Sequence, residues 1–381
     1  MPNWMTASDA LAKLRVRPQT LYAYVSRGLI EARQDAANPR SSLYRREDID
    51  RLATRKARGR KPALVAQDAI AWGEPVLASA ITTVAHGRLF YRGKDAAELA
   101  KTETLEEVAC LLRGDVEAQS RRRTNEPPVS LSTGRARLFA ALASRAGMAP
   151  AARGRAPAAL AAEATALLDI FADAVAGQSG RGPIHRRIAA AWAVDDDGAE
   201  LIRRALVLLA DHELNASTFA ARVAASTGAS LAASALAGLS ALSGPLHGGM
   251  ATRVEAFIAE ARRVGAEQAV AARLDQVLKM PGFGHPLYPG GDPRAAAMLE
   301  AFEPPQIFRE VHAAVEAATG EIPNVDFALT SMSEALELPA DAPFLLFAVA
   351  RCAGWLAHAI EQLQTGELIR PRARYIGPPT D

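Results

Sequence analysis

The stretch from Phe344 to Ile360 constrains this chain most, because it is the most apolar helical segment of the sequence and yet carries Arg351 and His358. Its length falls short of a membrane span, so it reads as the core helix of a globular protein. A guanidinium buried in such a helix is costly unless a negative charge meets it. Arg351 therefore calls for an anion, which can be a protein carboxylate or a ligand.

With 381 residues, 49% hydrophobic and 23% charged, the chain is long enough for two or three domains of ordinary globular composition. Abundant alanine favours helices that pack closely through small side chains. Cys110 and Cys352 are the only cysteines, too few for a disulfide framework. No basic region followed by an apolar run opens the sequence, so the expected location is the cytoplasm, with no membrane association. Charge is uneven. Residues 1–61 hold 14 Lys/Arg against 6 Asp/Glu, and the remainder holds 30 against 36. The two parts are suited to different partners.

At the N-terminus, Ala7, Ala10, Leu11 and Leu14 follow helical spacing after the capping residues Thr6 to Asp9. Pro18 suits the first turn of a second helix, with Leu21, Tyr24 and Val25 on its apolar face and Gly28 at its end. Leu29-Ile30 and Ser42-Leu43-Tyr44 are expected to pair as a small wing around Asn38-Pro39-Arg40, with a third helix from Arg46 to Arg55. The pattern Thr20-Leu21-Tyr22-Ala23-Tyr24, Arg27-Gly28-Leu29-Ile30 and Tyr44-Arg45-Arg46-Glu47-Asp48-Ile49 resembles the winged helix-turn-helix of MerR-type regulators and excisionases. That resemblance implies a DNA-binding domain over residues 1–55. Gln19, Thr20 and Tyr24 would approach bases, and Arg17, Arg27, Arg40 and Arg45 would meet phosphates. A small packing or dimerisation module with a solvated basic face is the alternative. Residues 56–62 read as a basic linker.

Beyond the linker, Thr82 to Gly93 suggests a short β-turn-β unit, and Asp95 to Leu99 and Glu106 to Leu112 suggest helices. His86 and Arg92 read as surface turn positions. Residues 121–157, rich in Arg, Pro, Ser and Gly, suggest irregular connections. Ala/Leu helices are expected over 158–176, 185–194, 199–209 and 218–242, the last with an internal break.

Three histidines stand where helical periodicity gives way: His212 in Asp211-His212-Glu213, His247 in Ser243 to Gly249, and His285 in Gly282 to Tyr288. Glycine and proline around the last two let a ligand approach the main chain. No paired ligands with metal spacing accompany them, so no metal is expected. Neither a Gly-x-Ser-x-Gly elbow nor a turn cysteine offers a nucleophile. Arginines are the more telling companions. Arg294, Arg351, Arg370 and Arg372 can grip carboxylates in a bidentate fork, which points to a small polycarboxylate substrate.

Seven motifs in order then resemble citrate synthase, from about Ile81 to Gly377: Tyr91-Arg92-Gly93 with Glu106-Glu107-Val108-Ala109; Asp211 to Thr218; Gly244 to Gly249; Gly282 to His285 with Asp292-Pro293-Arg294; Asn324-Val325-Asp326; Ala350-Arg351 with Gly354-Trp355; and Arg370-Pro371-Arg372. The resemblance implies a mainly α, two-domain multihelical fold over residues 63–381, preceded by the small winged domain. Its large domain would comprise 63–249 and 336–381, its small domain about 250–335, and two copies would form a homodimer.

It further implies a Claisen condensation of acetyl-CoA with oxaloacetate to give citrate and CoA, with acetyl-CoA as co-substrate and no tightly bound cofactor. Asp326 would be the general base, His247 would stabilise the enol, and His285 would polarise the ketone. His212, Arg294 and Arg351 would hold the oxaloacetate carboxylates, and Arg370 would reach the partner's site. Read from sequence alone, the Asn324 to Asp326 stretch is equally a helix N-cap. Two positions depart from the family pattern: Pro286 follows His285 where members often have a basic residue, and Leu209 stands where many bacterial members have a histidine. Two alternatives stay open, a 2-methylcitrate synthase using propionyl-CoA and a DNA-binding, metabolite-sensing regulator built on the same body.

Overall fold

The computed structural model describes residues 4–14, 16, 18–26, 30–35, 38–50, 77–114, 133–373 and 377–378. The chain divides into two compact units, residues 1–78 with 372–381, and residues 79–371.

In the first unit, strand β1 (Trp4–Thr6) leads into helices α1 (Ala7–Leu14) and α2 (Pro18–Ser26), followed by strands β2 (Ala32–Asp35) and β3 (Asn38–Arg45). Residues 46–50 are helical. Thr6 Oγ1 accepts the Asp9 N–H and so caps the first helix, and Pro18 opens the second, where its missing N–H costs nothing. The strands form an antiparallel sheet in the order β1-β3-β2, and Met5, Ala10, Leu14, Leu21, Ile30, Tyr44 and Ile49 make a small core. Two expectations are corrected. The strand facing β3 is Ala32–Asp35, with Ile30 drawn into the core and Leu29 outside the described residues, and Asn38 to Arg40 belong to β3 itself. Strand β1 was not expected, since three residues carry no readable alternation.

The second unit begins with a three-stranded meander, β4 (Thr82–Ala85), β5 (Arg88–Tyr91) and β6 (Lys94–Asp95), as the β-turn-β reading anticipates. Helices α3 (Ala96–Thr102), α4 (Leu105–Arg113), α5 (Gly134–Met148), α6 (Pro157–Ala176), α7 (Ile184–Ala191), α8 (Asp196–Leu209), α9 (Ala216–Ser226) and α10 (Leu231–Leu242) follow. Then come α11 (Met250–Val264), α12 (Ala266–Asp275), α13 (Pro293–Leu299), α14 (Gln306–Thr319), α15 (Val325–Ala335) and α16 (Ala342–Thr365). Within 121–157, which suggested irregular connections, helix α5 was not expected, residues 149–156 are irregular, and 121–132 lie outside the described residues. Thr133 caps α5 and only Gly134, Leu138 and Leu142 are fully buried, so too few core positions recur to mark its period.

Helix α16 is the axis of the larger core and packs against α4, α6, α8, α9 and α10. At 24 residues it is longer than the apolar run suggested and long enough to cross a membrane, yet 94% of its apolar window is buried inside the protein. Burial, not length, assigns it to the core. Close approach makes this possible. A Cβ at Gly354 would meet Asp211 Oδ1 at 2.2 Å, and one at Gly238 would meet Trp355 at 2.7 Å.

A second core gathers Val254, Phe257, Ile258, Met280, Phe308, Val311 and Phe327. Helix α15 belongs to both, giving Ala328, Leu329 and Met332 to the larger core and Phe327 to the smaller. Its first turn, which carries Asp326, therefore lies where the two cores meet.

Candidate active site

The site is built on the buried end of α8. A helix terminus leaves carbonyl groups without intrahelical partners, and burying them demands substitutes. The Tyr91 hydroxyl lies 3.1 Å from Val207 O, 3.2 Å from Leu208 O and 3.2 Å from Asp211 O. Arg351 Nε donates to Leu209 O at 3.0 Å, and the Gly354 N–H donates to Ala210 O at 3.1 Å. The chain leaves this end through Asp211 and His212, with Glu213 at a positive φ of 51° and its carboxylate accepting the Val84 N–H. His212 is thus aimed by groups from β5 and α16.

His285 lies on a loop stitched to the start of α15. The Gly284 N–H donates to Ile322 O at 2.9 Å, the Asn324 N–H to Gly282 O at 2.8 Å, and Asn324 Nδ2 to Gly284 O at 3.1 Å. Gly282 and Gly284 take positive φ of 82° and 66°, conformations that favour glycine. Asn324 also caps α15, its Oδ1 accepting the Asp326 and Phe327 N–H groups. One residue therefore fixes both the His285 loop and Asp326. His285 Nδ1 accepts the Leu287 N–H at 3.1 Å, which leaves Nε2 to carry the hydrogen of a neutral ring. Pro286, exposed between them, supplies the bend.

His247 sits in the turn after α10, where a Cβ on Gly248 would meet Leu242 O at 2.3 Å and one on Gly249 would meet Pro245 O at 2.7 Å. Its Nε2 is 2.9 Å from Ser217 Oγ, which also receives Trp355 Nε1–H at 3.1 Å and lies 2.7 Å from Asn215 Oδ1. Asn215 Oδ1 already accepts the backbone N–H groups of Ser217 and Thr218. Ser217 Oγ, which donates to Asn215 Oδ1, thus ties His247 to α9 and to Trp355 of α16.

Electrostatics bind the set together. Burial, aided by Arg351, pulls His247 down to about 4. Burial and Arg294 pull His285 down to about 4 as well. His212 falls well below its ordinary value through burial, then through Arg294 and Arg351. All three are neutral at pH 7. Burial, reinforced by Asp292, raises Asp326 to about 6, although Arg294 and Arg351 oppose the rise. Burial lowers Arg351 to about 10, with Asp211 the leading opposing charge. Among the described residues Arg351 Nη2 is buried without a hydrogen-bond partner. A buried cationic donor left in that state is costly, and an anion would satisfy it.

Arg294 differs. Its Nε and Nη2 grip Asp292 bidentately at 2.9 and 2.7 Å, and Asp292 Oδ2 also accepts the Val325 N–H. The expected substrate arginine is thus held by a protein carboxylate on one edge, and Nη1 takes no part in that pair. His212, His247, His285, Arg294, Arg351 and Asp326 come together, whereas Arg370 is exposed on the segment beyond α16. Asp292, Ser217, Trp355 and Tyr288 stand inside the sequence motifs but carried no assigned role there. The adjacency of Asp292 to Arg294 was the available signal for the first, but the others gain their roles only through contacts distant in the chain.

In the first unit, Arg17 and Arg27 and the side chains of Gln19 and Arg40 lie outside the described residues. Thr20 is half-buried, and Tyr24 is half-buried against the small core. Arg45 is exposed and pairs with Glu31 at 3.0 Å and Glu47 at 3.6 Å.

A mainly helical unit with two cores carries at their junction a half-buried carboxylate, neutral imidazoles and guanidiniums, groups capable of acid-base chemistry on a small anion. A family model described as citrate synthase, C-terminal domain, matches residues 124–372. The chain belongs to the citrate synthase family. It is 41% identical over 190 residues to citrate synthase 2 of Bacillus subtilis, covering 47% of this chain and 51% of that one. To 2-methylcitrate synthase 2 of Corynebacterium glutamicum it is 35% identical over 185 residues, covering 46% and 48%. The chain spans about half the length of these curated relatives. The crystal structure of citrate synthase from Thermotoga maritima superposes with a TM-score of 0.66 at 27% identity, covering 80% of this chain and 94% of that one.

Proposed function

We propose that this chain condenses acetyl-CoA with oxaloacetate to give citrate and CoA. The observation that carries this reading is the pairing of Asp326, a carboxyl raised to about 6, with the unpartnered Nη2 of buried Arg351. One is a base tuned near neutrality and the other is a waiting carboxylate anchor. Asp326 removes a proton from the acetyl methyl group while His247 hydrogen-bonds the thioester oxygen and stabilises the developing enol. The enol carbon then attacks the ketone of oxaloacetate as His285 Nε2–H hydrogen-bonds the ketone oxygen where charge develops, and that oxygen ends with a proton equivalent to the one Asp326 took up. Arg351, Arg294 Nη1 and His212 hold the carboxylates, and water then cleaves the citryl thioester to release CoA. Purified protein given acetyl-CoA and oxaloacetate should release free thiol, and silence from a well-folded preparation would refute the activity.

Propionyl-CoA as donor, giving 2-methylcitrate, is the second reading, supported by the likeness to the C. glutamicum 2-methylcitrate synthase. The ratio of kcat/KM for the two acyl-CoAs decides between them.

We further propose that residues 1–55 form a winged helix-turn-helix domain that binds DNA, supported by its helix pair, its antiparallel strands and the basic balance of residues 1–61. Under this reading the protein also serves as a metabolite-sensing regulator. The separate core from Val254 to Phe327 supports a small domain at about 250–335. The exposed position of Arg370 supports a homodimer in which that side chain completes the partner's site. A cytoplasmic location agrees with two free cysteines, Cys110 half-buried and Cys352 buried.

A further inference from the structure

Tyr288 is 2% exposed and sits among site residues that the proposed mechanism uses without using it. Its ring lies 4.9 Å from that of His285 and 5.6 Å from that of His212, with the Arg294 guanidinium 5.5 Å from its centroid. Its hydroxyl is 2.9 Å from His212 Nε2. We infer that Tyr288 is a positioning residue that fixes the tautomer of His212, giving its phenol hydrogen to Nε2 so that the imidazole hydrogen resides on Nδ1.

A phenol has one hydrogen to give, and a buried one needs an acceptor. Among the described residues, His212 Nε2 is the hydrogen-bond partner of this hydroxyl. Burial also keeps the phenol protonated, raising it further above its ordinary value than Arg294 can offset. A neutral imidazole that accepts at Nε2 must donate at Nδ1. His212 then presents a donor to an anion held by Arg351, where the opposite tautomer would present a lone pair and repel it. His285 needs no such help, since the Leu287 N–H already occupies its Nδ1.

The inference rests on the proposed role of His212 at the dicarboxylate, so the test includes a readout that does not depend on activity. In full-length protein labelled with 15N-histidine, long-range proton–nitrogen correlations report which ring nitrogen bears hydrogen, and His212→Gln assigns the signal. Wild type should show His212 with a pyridine-like Nε2 and a pyrrole-like Nδ1, and Tyr288→Phe should reverse or average the two. A protonated Nε2 in wild type, or an unchanged pattern in Tyr288→Phe, would overturn the inference. The wild-type spectrum alone decides the first point, so the test survives if the variant does not fold. In kinetics, Tyr288→Phe should raise KM for oxaloacetate about tenfold and leave KM for the acyl-CoA within about twofold. Equal change in both would mark a merely structural role. If wild type shows the expected tautomer but neither binds nor turns over oxaloacetate, the proposed function fails while the tautomer assignment stands.

Discussion

At Asp326, burial has consequences for both rate and stability. The carboxyl is raised to about 6 while His247 and His285 lie near 4, so the acid limb of kcat/KM should follow Asp326 and fall with an apparent pKa of about 6. A limb near 4 would point to a histidine instead. The raised value also means that the folded state holds this proton more tightly than the unfolded chain. The resulting stabilisation is complete below about pH 4 and is lost as pH rises through about 6. Asp326→Asn should therefore abolish turnover and, at pH 7, stabilise the fold by about 2 kcal/mol, an advantage that thermal unfolding should show vanishing near pH 4. Much of this residue set was legible beforehand, because each histidine lies in a Gly/Pro motif and Arg351 stands out in an apolar helix. The partners that set their protonation were not. Ser217 and Tyr288 act on His247 and His212, 30 and 76 positions away, and no local pattern encodes such contacts.

Helix ends and crossings decide whether those side chains can meet. Gly354 lets α16 approach the segment after α8 closely enough for its N–H to bond Ala210 O. Gly354→Ala would place a Cβ 2.2 Å from Asp211 Oδ1 and 2.7 Å from Ala210 O, against backbone that cannot yield cheaply. It should cost about 3 kcal/mol of stability in denaturant unfolding and raise KM for oxaloacetate, since Arg351 and His212 flank the crossing. An unchanged midpoint would show that the crossing is looser than described. By contrast Thr104 and Glu107 form a capping box on α4, away from the site, and Thr104→Ala should cost about 1 kcal/mol with kinetics unaltered. Long apolar-periodic helices were readable because 3.6-residue spacing survives in sequence. Helix α5 was not, since it buries only Gly134, Leu138 and Leu142, and strand β2 was displaced because Ile30 is claimed by the core.

On the scale of the whole molecule, the proposed dimer and the basic N-terminal unit make separable claims. If Arg370 serves the partner's site, Arg370→Ala and Asp326→Ala proteins should each be inactive, yet mixing and refolding them should restore about a quarter of wild-type activity through hybrid dimers with one intact site. No recovery would place Arg370 in its own subunit's site, and an active Arg370→Ala protein would place it outside any site. If residues 1–55 bind DNA, affinity should fall steeply with salt and favour the protein's own promoter over random duplex, whereas equal affinity for both would leave only a solvated basic face. Domain organisation was partly legible from the charge imbalance between residues 1–61 and the rest, but charge locates a partner's sign and not a unit's edge, which falls between Ala78 and Ser79. The central claim is chemical, and thiol release from acetyl-CoA tests it most directly. Wild-type protein should release CoA only when oxaloacetate is present, and Asp326→Ala should reduce the rate at least a thousandfold; release undiminished in that variant, or none from wild type, would contradict the account.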